Sequence, residues 1–239
     1  MRKVLLSLAA GVSLMLGAGS AAADGMPRRA GGFKDVACVP VFQGFYVGAQ
    51  GGYAQYTAHQ NDLDGFLTDN SGWTSTDNQF TGGVTVGYNF QRGCGTLFGV
   101  EADWSWGNLD ATLIDNPNTL TPNRMTSSLN NYGTLRTRTG LVIDNLLLYV
   151  TGGLAWATID FNGIDPDVSA FSFGDTRWGW TAGVGTEFVL GRNWTFKSEI
   201  LYINFDDKTY SFTTGGGDRF SFQTQDDLWV GRAGINYKF

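Results

Sequence analysis

The chain has 239 residues, with 16 basic and 22 acidic side chains, a formal charge of −6, 34 glycines, 8 tryptophans, 9 tyrosines, 17 phenylalanines, two cysteines and one histidine. A net negative chain without a basic patch argues against nucleic acid, whose phosphates demand clustered Lys and Arg. The aromatic and turn-forming residues, with no helical stretches of Leu, Ala and Glu, suit one β-rich domain, and no break in composition after about residue 43 divides it.

Arg2 and Lys3 precede an apolar run over residues 4–16, broken only by Ser7, Gly11 and Ser13, and Ala21-Ala22-Ala23 follows. This reads as a secretory signal peptide over residues 1–23, too short to be a transmembrane helix. Loss of Arg2 and Lys3 moves the formal charge from −6 to −8. Residues 24–43, with Arg28, Arg29, Lys34, Asp35 and several Gly and Pro, read as a polar periplasmic tail.

From residue 44 the pattern changes to a period of two, apolar against polar or small. The first strand, 44–56, sets Phe45, Val47, Ala49, Gly51 and Tyr53 against Tyr46, Gly48, Gln50 and Gly52. The second, 79–90, carries Phe80, Val84, Val86, Tyr88 and Phe90 on one face. The third, 96–107, opposes Phe98, Val100, Ala102, Trp104 and Trp106 to a face with Glu101 and Asp103. The fourth, 128–143, groups Leu129, Gly133, Leu135, Leu141 and Ile143 against Tyr132, Arg136 and Arg138. The fifth follows Asp144-Asn145 and places Leu148, Val150, Leu154 and Trp156 together. The sixth, 177–190, opposes Trp178, Trp180, Val184 and Phe188 to Glu187. The seventh, 194–205, starts with Trp194 and Phe196 opposite Lys197 and Glu199, then blurs because Leu201 and Ile203 fall on the wet face; a bulge or apolar filling would account for it. The eighth, 229–239, alternates Trp229, Gly231, Ala233, Ile235, Tyr237 and Phe239 with Val230, Arg232, Gly234, Asn236 and Lys238.

Short turns (91–95, 144–145, 191–193) alternate with long polar connections (57–78, 109–127, 161–176, 206–227). That alternation, with an even strand count, predicts an all-β fold, an eight-stranded antiparallel transmembrane β-barrel over residues 44–239, with both termini periplasmic and four long loops outside. A soluble lipocalin-like barrel would turn its apolar face inward and leave charge outside. Here the apolar face is free of charge and ends in aromatics, which suits two membrane interfaces. The charged face then lines the interior, where Glu101, Asp103, Glu187 and Glu199 match Arg136, Arg138, Lys197 and Arg232 in number. Pairing with residue numbers summing to about 239 sets Glu101 opposite Arg138 and Asp103 opposite Arg136; a pairing around 191–193 sets Glu187 opposite Lys197. Such charges are expected to form a stabilising network, since an unpaired charge in a narrow interior is costly.

Cys38, just before the first strand, and Cys94, in the first short turn, both fall at the periplasmic rim, which predicts a disulfide in that oxidising compartment. The single histidine, His59, lies in the first long connection and is a weak candidate for haem iron. No serine stands beside it, so no nucleophile–base pair is apparent and no enzymatic activity or cofactor is expected.

Gly44-Phe45-Tyr46-Val47-Gly48, the segment Trp194 to Tyr202 with Lys197, Glu199 and Leu201, and the ending from Val230 to Phe239 resemble the small eight-stranded outer-membrane immunogenic proteins of alphaproteobacteria, also called porin-like. Ile200 stands where that group usually has an aromatic. The resemblance implies a barrel of the OmpA/OmpX type, embedded among outer-membrane lipids and lipopolysaccharide. Its insertion would be by the barrel-assembly machinery, which would read the terminal strand through Tyr237 and Phe239. Haemin binding at the surface, described for some members, is an alternative, as is a small porin. An eight-stranded interior is just wide enough to be filled by side chains, so the expected role is structural, in a monomer that contributes to envelope integrity. Cleavage after Ala22 in place of Ala23 would begin the chain Ala23-Asp24. That is similar to the amino terminus through which some barrels of this kind are joined to peptidoglycan.

Overall fold

The computed structural model describes residues 39–64, 72–93, 95–115, 123–165, 169–213 and 219–239; the expected signal peptide, most of the expected tail, Cys38 and Cys94 lie outside them. The strands are β1 (Gly44–Asp62), β2 (Trp73–Arg92), β3 (Thr96–Asp115), β4 (Asn123–Ile143), β5 (Leu146–Asp165), β6 (Ser169–Val189), β7 (Trp194–Phe205), β8 (Lys208–Thr213) and β9 (Arg219–Lys238). All neighbours are antiparallel, and β1 pairs with β9 to close the sheet. β7 and β8 are two halves of one strand, because both pair with β9. From Asn204 to Lys208 that strand advances four residues while β9 advances three, from Asp227 to Thr224, so one extra residue bulges at 205–207. The barrel is therefore eight-stranded.

Its wall is inverted relative to a soluble protein. Phe45, Val84, Phe90, Trp106, Leu141, Val150, Trp178, Val184, Ile200 and Trp229 are exposed, whereas Arg136, Arg138, Glu101 and Glu199 are buried. Outward aromatics gather in two belts. Trp194, Tyr237, Phe239 and Phe45 touch in sequence at the short-turn end. Tyr53 with Phe80, Trp156 with Trp178, and Trp180 with Tyr202 and Trp229 mark the other belt. Along β1 (Phe45 to Tyr53), β7 (Trp194 to Tyr202) and β9 (Tyr237 to Trp229) the belts are separated by close to the ~9–11 residues with which a tilted strand crosses hydrocarbon.

The strands do not stop at the second belt. Connections expected as long loops are largely strand: β1 reaches Asp62, β2 starts at Trp73, and β3, β4, β5, β6 and β9 extend similarly. A strand of 20 residues at ~3.3 Å per residue, tilted by roughly 45°, rises about 45 Å, well beyond a ~25 Å apolar band. Beyond the belt neither face meets lipid, so the apolar period fades while the hydrogen-bond ladder continues.

The ladder there is no longer a closed cylinder. Pairing of β2 with β3 ends at Gly82↔Trp106, and pairing of β6 with β7 ends at Gly179↔Phe205. Past those points β8-β9-β1-β2 and β3-β4-β5-β6 form two four-stranded sheets that face each other. Their core joins side chains from both: the Tyr56 hydroxyl lies 2.8 Å from Ser127 Oγ, and Phe161 stacks on Tyr210 at 6.1 Å.

One expectation about faces changes with this geometry, and one open alternative is decided. Leu129, grouped with the lipid-facing residues by periodicity, is fully buried inside. The register slips between Leu129 and Asn131 against β5, and between Trp106 and Leu109 in the β3–β4 pair, so the alternation flips there. Leu201 and Ile203 are buried interior filling; β7 keeps one register through both, and the bulge comes only after them.

Candidate functional site

At the level of the membrane the lumen holds a buried array of charges. Arg136, on β4, sits at its centre. Its guanidinium meets Glu101 Oε1 at 2.5 Å, Asp103 Oδ2 at 2.9 Å and Glu199 Oε2 at 3.1 Å, and its Nε donates to Thr134 Oγ1 at 2.9 Å. Arg232, on β9, holds Asp103 through both guanidinium nitrogens at 2.9 and 3.0 Å and reaches Glu199 Oε1 at 2.6 Å. The Lys197 ammonium donates to both Glu101 oxygens at 2.9 and 3.0 Å. Three carboxylates and three cations thus neutralise one another in a fully buried space, the condition under which buried ions are tolerated.

The register differs from the one the sequence arithmetic proposes, although Arg138 still reaches Glu101 at 3.6 Å and Arg136 still reaches Asp103 diagonally. Glu101 lies opposite Arg136, Asp103 opposite Thr134, and Arg138 opposite Gly99, a shift of two residues. β3 and β4 are joined by a long connection and carry a bulge, so no tight turn sets their register. Glu187 does lie opposite Lys197, yet the two do not pair: Lys197 turns to Glu101, and Glu187 takes Arg138 at 2.8 Å, Thr195 Oγ1 at 2.5 Å and Asn236 Nδ2 at 3.0 Å.

Arg138 is also held between two aromatic faces, 4.8 Å from the Tyr46 ring centre and 5.2 Å from that of Tyr149. The same tyrosines donate onward, Tyr46 to Glu101 Oε2 at 2.6 Å and Tyr149 to Glu199 Oε2 at 3.0 Å. The phenol end of each ring occupies the space over a glycine of a neighbouring strand, Tyr46 at Gly87 and Tyr149 at Gly185, where a Cβ would collide with it. Residue type alone did not mark these tyrosines, but both stand on the wet faces of their strands, and that position was the available signal.

The array is sealed above and below. Above it Leu109, Leu129, Ile159, Leu201, Ile203, Leu228 and Val230 form an apolar layer with no solvent exposure beyond 3 %. A second polar cluster sits higher, where Arg177 pairs with Asp226 at 3.1 Å and Tyr56 donates to Asp226 Oδ1 at 2.6 Å. Below, Phe42 inserts among Leu97, Val142, Leu147 and Tyr149. Its N–H donates to Gln91 Oε1 at 2.9 Å, its carbonyl accepts from Asn89 Nδ2 at 3.0 Å, and Lys238 Nζ donates to the carbonyl of Val41. Phe42, in the segment assigned to the tail by composition, therefore plugs the short-turn mouth with Val41 packed beside it. The carboxyl end is fixed beside it: the Phe239 N–H donates to the Phe45 carbonyl at 3.0 Å, and the Lys238 N–H to that of Asn193 at 2.7 Å.

His59 lies within β1, opposite Thr74, and not in a loop. Its Nδ1 is 2.8 Å from Thr74 Oγ1, and its Nε2 is 3.6 Å from Asp227 Oδ2, so both ring nitrogens have neighbours on the outer wall. A hydroxyl, an imidazole and a carboxylate in line suggest acyl transfer, but the β1 amides on both sides are engaged in the ladder. β1 thus supplies no amide for an oxyanion.

A family model described as the outer membrane protein beta-barrel domain matches residues 9–239. The 31 kDa outer-membrane immunogenic protein of Brucella melitensis is 29% identical over 205 residues, covering 82% of this chain and 83% of that protein. The 22 kDa outer membrane protein of Rhizobium leguminosarum is 27% identical over 190 residues, with 80% and 77% covered. The crystal structure of the outer membrane protein OprG from Pseudomonas aeruginosa superposes with a TM-score of 0.55 at 16% identity, over 82% of this chain and 96% of that one, a likeness of fold alone. With a charged lumen inside an apolar wall and a family match across nearly its whole length, this chain belongs to the outer-membrane β-barrel protein family.

Proposed function

We propose that the protein is a structural, non-conducting barrel whose two-sheet extension stands outside the cell and whose termini face the periplasm. The observation that carries this reading is the sealed lumen: a paired charge array between the apolar layer around Leu201 and Leu228 and the plug at Phe42. Water and ions find no continuous polar path through such a stack, which tells against the porin alternative. For haem at His59, the imidazole would first have to leave Thr74 and Asp227. In planar lipid bilayers the full-length protein should give no steady conductance above the lipid baseline. Stable, voltage-independent channels would overturn the closed-barrel reading.

The role in envelope integrity is taken further by the tail. If cleavage leaves Ala23 at the amino terminus, attachment of that residue to peptidoglycan would make the barrel a rivet between membrane and cell wall. The fixing of residues 41 and 42 to Asn89, Gln91 and Lys238 supports this, since tension on the tail would meet the barrel floor before the β1 ladder. Muramidase and trypsin digestion of purified sacculi should release a peptide starting at Ala23 and carrying a muropeptide. Recovery of free peptide starting at Asp24 alone would leave the tail untethered.

A further inference from the structure

The two seams between the outer sheets are finished differently. At the β2–β3 seam, β2 side chains occupy backbone groups of β3: Ser75 Oγ donates to the Thr112 carbonyl at 3.0 Å, Gln79 Nε2 to the Asn108 carbonyl at 3.4 Å, and Asp77 Oδ2 accepts the Asp110 N–H at 2.9 Å. An edge capped in this way offers little to another strand. At the β6–β8 seam the last backbone link is the Asp206 N–H to the Trp178 carbonyl, 2.8 Å. A strand residue aims its N–H and C=O to one side and its neighbours aim theirs to the other. Trp178 therefore sets the parity, and Ala170, Ser172, Gly174 and Thr176 aim their backbone groups at the seam.

β8 does not come to meet them; it pairs with β9 alone. The seam is bridged instead by side chains: the Arg177 guanidinium on the Asp206 carbonyl, the Lys208–Asp175 ion pair, and the Tyr210 ring on Phe161. None of these caps the four residues of the β6 edge. Exposed edges are ordinarily guarded by Lys, Pro or a bulge. Residues 169–174 read Ser-Ala-Phe-Ser-Phe-Gly, without charge or proline, and β6 keeps an unbroken register with β5 to Asp165↔Ser169. At the foot of the seam Asp206 and Asp207 are exposed.

We infer that the β6 edge from Ala170 to Thr176 is an acceptor for an extended strand of a second protein. That strand runs antiparallel to β6 and is held by main-chain hydrogen bonds, in the manner of strand addition to a sheet edge. Running antiparallel, it starts at the foot of the seam, where a basic amino-terminal end meets Asp206 and Asp207. The rest of it is uncharged and β-prone, to match residues 169–174. That the partner comes from outside the cell rests on the orientation proposed above.

The test uses purified full-length protein in detergent micelles and a fluorescent peptide, Lys-Lys-Thr-Val-Thr-Val-Thr-Val. Saturable binding is expected, absent for the same peptide N-methylated at alternate residues. Ser172→Pro removes an N–H aimed at the seam and none of the β5 ladder, so it should weaken binding roughly fivefold or more while the barrel stays folded and heat-modifiable. Asp206→Asn with Asp207→Asn should weaken it a few-fold, as should salt. Absence of saturable binding, or equal binding of the N-methylated peptide or by Ser172→Pro, would overturn the acceptor edge. A dimer that Ser172→Pro disrupts, with no peptide bound, would give the edge to a second copy and overturn the foreign partner. Orientation is read separately: an epitope tag near Gly216 should label on intact cells and one near Asn145 should not. Reverse labelling would overturn the orientation while leaving the micelle result standing.

Discussion

Arg136→Ala is expected to destabilise the folded barrel by about 3–5 kcal/mol or more, the range for removing one partner of a buried ion pair. The upper end applies because three carboxylates, on Glu101, Asp103 and Glu199, lose a partner at once. Lys197 and Arg232 remain to hold them, which sets a limit on the loss. Arg138→Ala should cost less, since Glu187 keeps Thr195 and Asn236, and Arg192→Ala, in an exposed turn, should stay within roughly 0.5 kcal/mol. Urea unfolding of protein refolded in lipid vesicles, followed by the heat-modifiable gel shift, measures all three. Adding Glu101→Gln to Arg136→Ala should recover part of the loss, because one orphaned charge is removed. An unfolding midpoint for Arg136→Ala equal to that of the unaltered protein would show the lumen to be wet and the array dispensable.

What could be read from the sequence follows the places where physics imposes a period. Between the belts each strand has one lipid side and one lumen side, so Phe45 to Tyr53 or Trp229 to Phe239 alternates and its faces can be assigned. Tight turns at Asp144-Asn145 and 191–193 fix the pairings they join, which is why Glu187 falls opposite Lys197. Where a long connection intervenes, no such constraint acts. The β3–β4 register then differs by two residues from the arithmetic, and Glu101 faces Arg136.

The outer half of the barrel was hidden for a related reason. Thr74, Thr76, Asn78 and their neighbours in β2 sit in a strand with no lipid to demand apolar side chains, so they resemble loop. Bulges add a second difficulty. One extra residue turns Leu129 from the lipid face into the core, and the bulge at 205–207 brings Lys208 and Tyr210 across the seam. Leu201 and Ile203 break the alternation because the lumen above the charges is filled with apolar side chains. Phe42 gives no periodic signal at all, being an isolated aromatic at the end of the tail that fits the floor.

That floor is the setting of the second large expected effect. Cys38 and Cys94 lie outside the described residues, but their neighbours are held together: Gln91 accepts the Phe42 N–H and donates to the Gly93 carbonyl at 3.3 Å. A Cys38–Cys94 disulfide is therefore expected, and the non-reduced mature protein should be two hydrogens lighter than the reduced one. Closing a loop of this size contributes up to ~4 kcal/mol in the chain-entropy model. Less is expected here, because Phe42 already restrains the segment. Phe42→Ala alone should cost about 3–5 kcal/mol, as for other buried aromatics cut to alanine. The two losses should not add: with Cys38→Ser and Cys94→Ser in place, the tail frays and Phe42 leaves the floor more readily, so truncating it costs less. A double-mutant cycle on urea midpoints measures that coupling. Two free thiols in the non-reduced protein, or fully additive losses, would separate the staple from the plug.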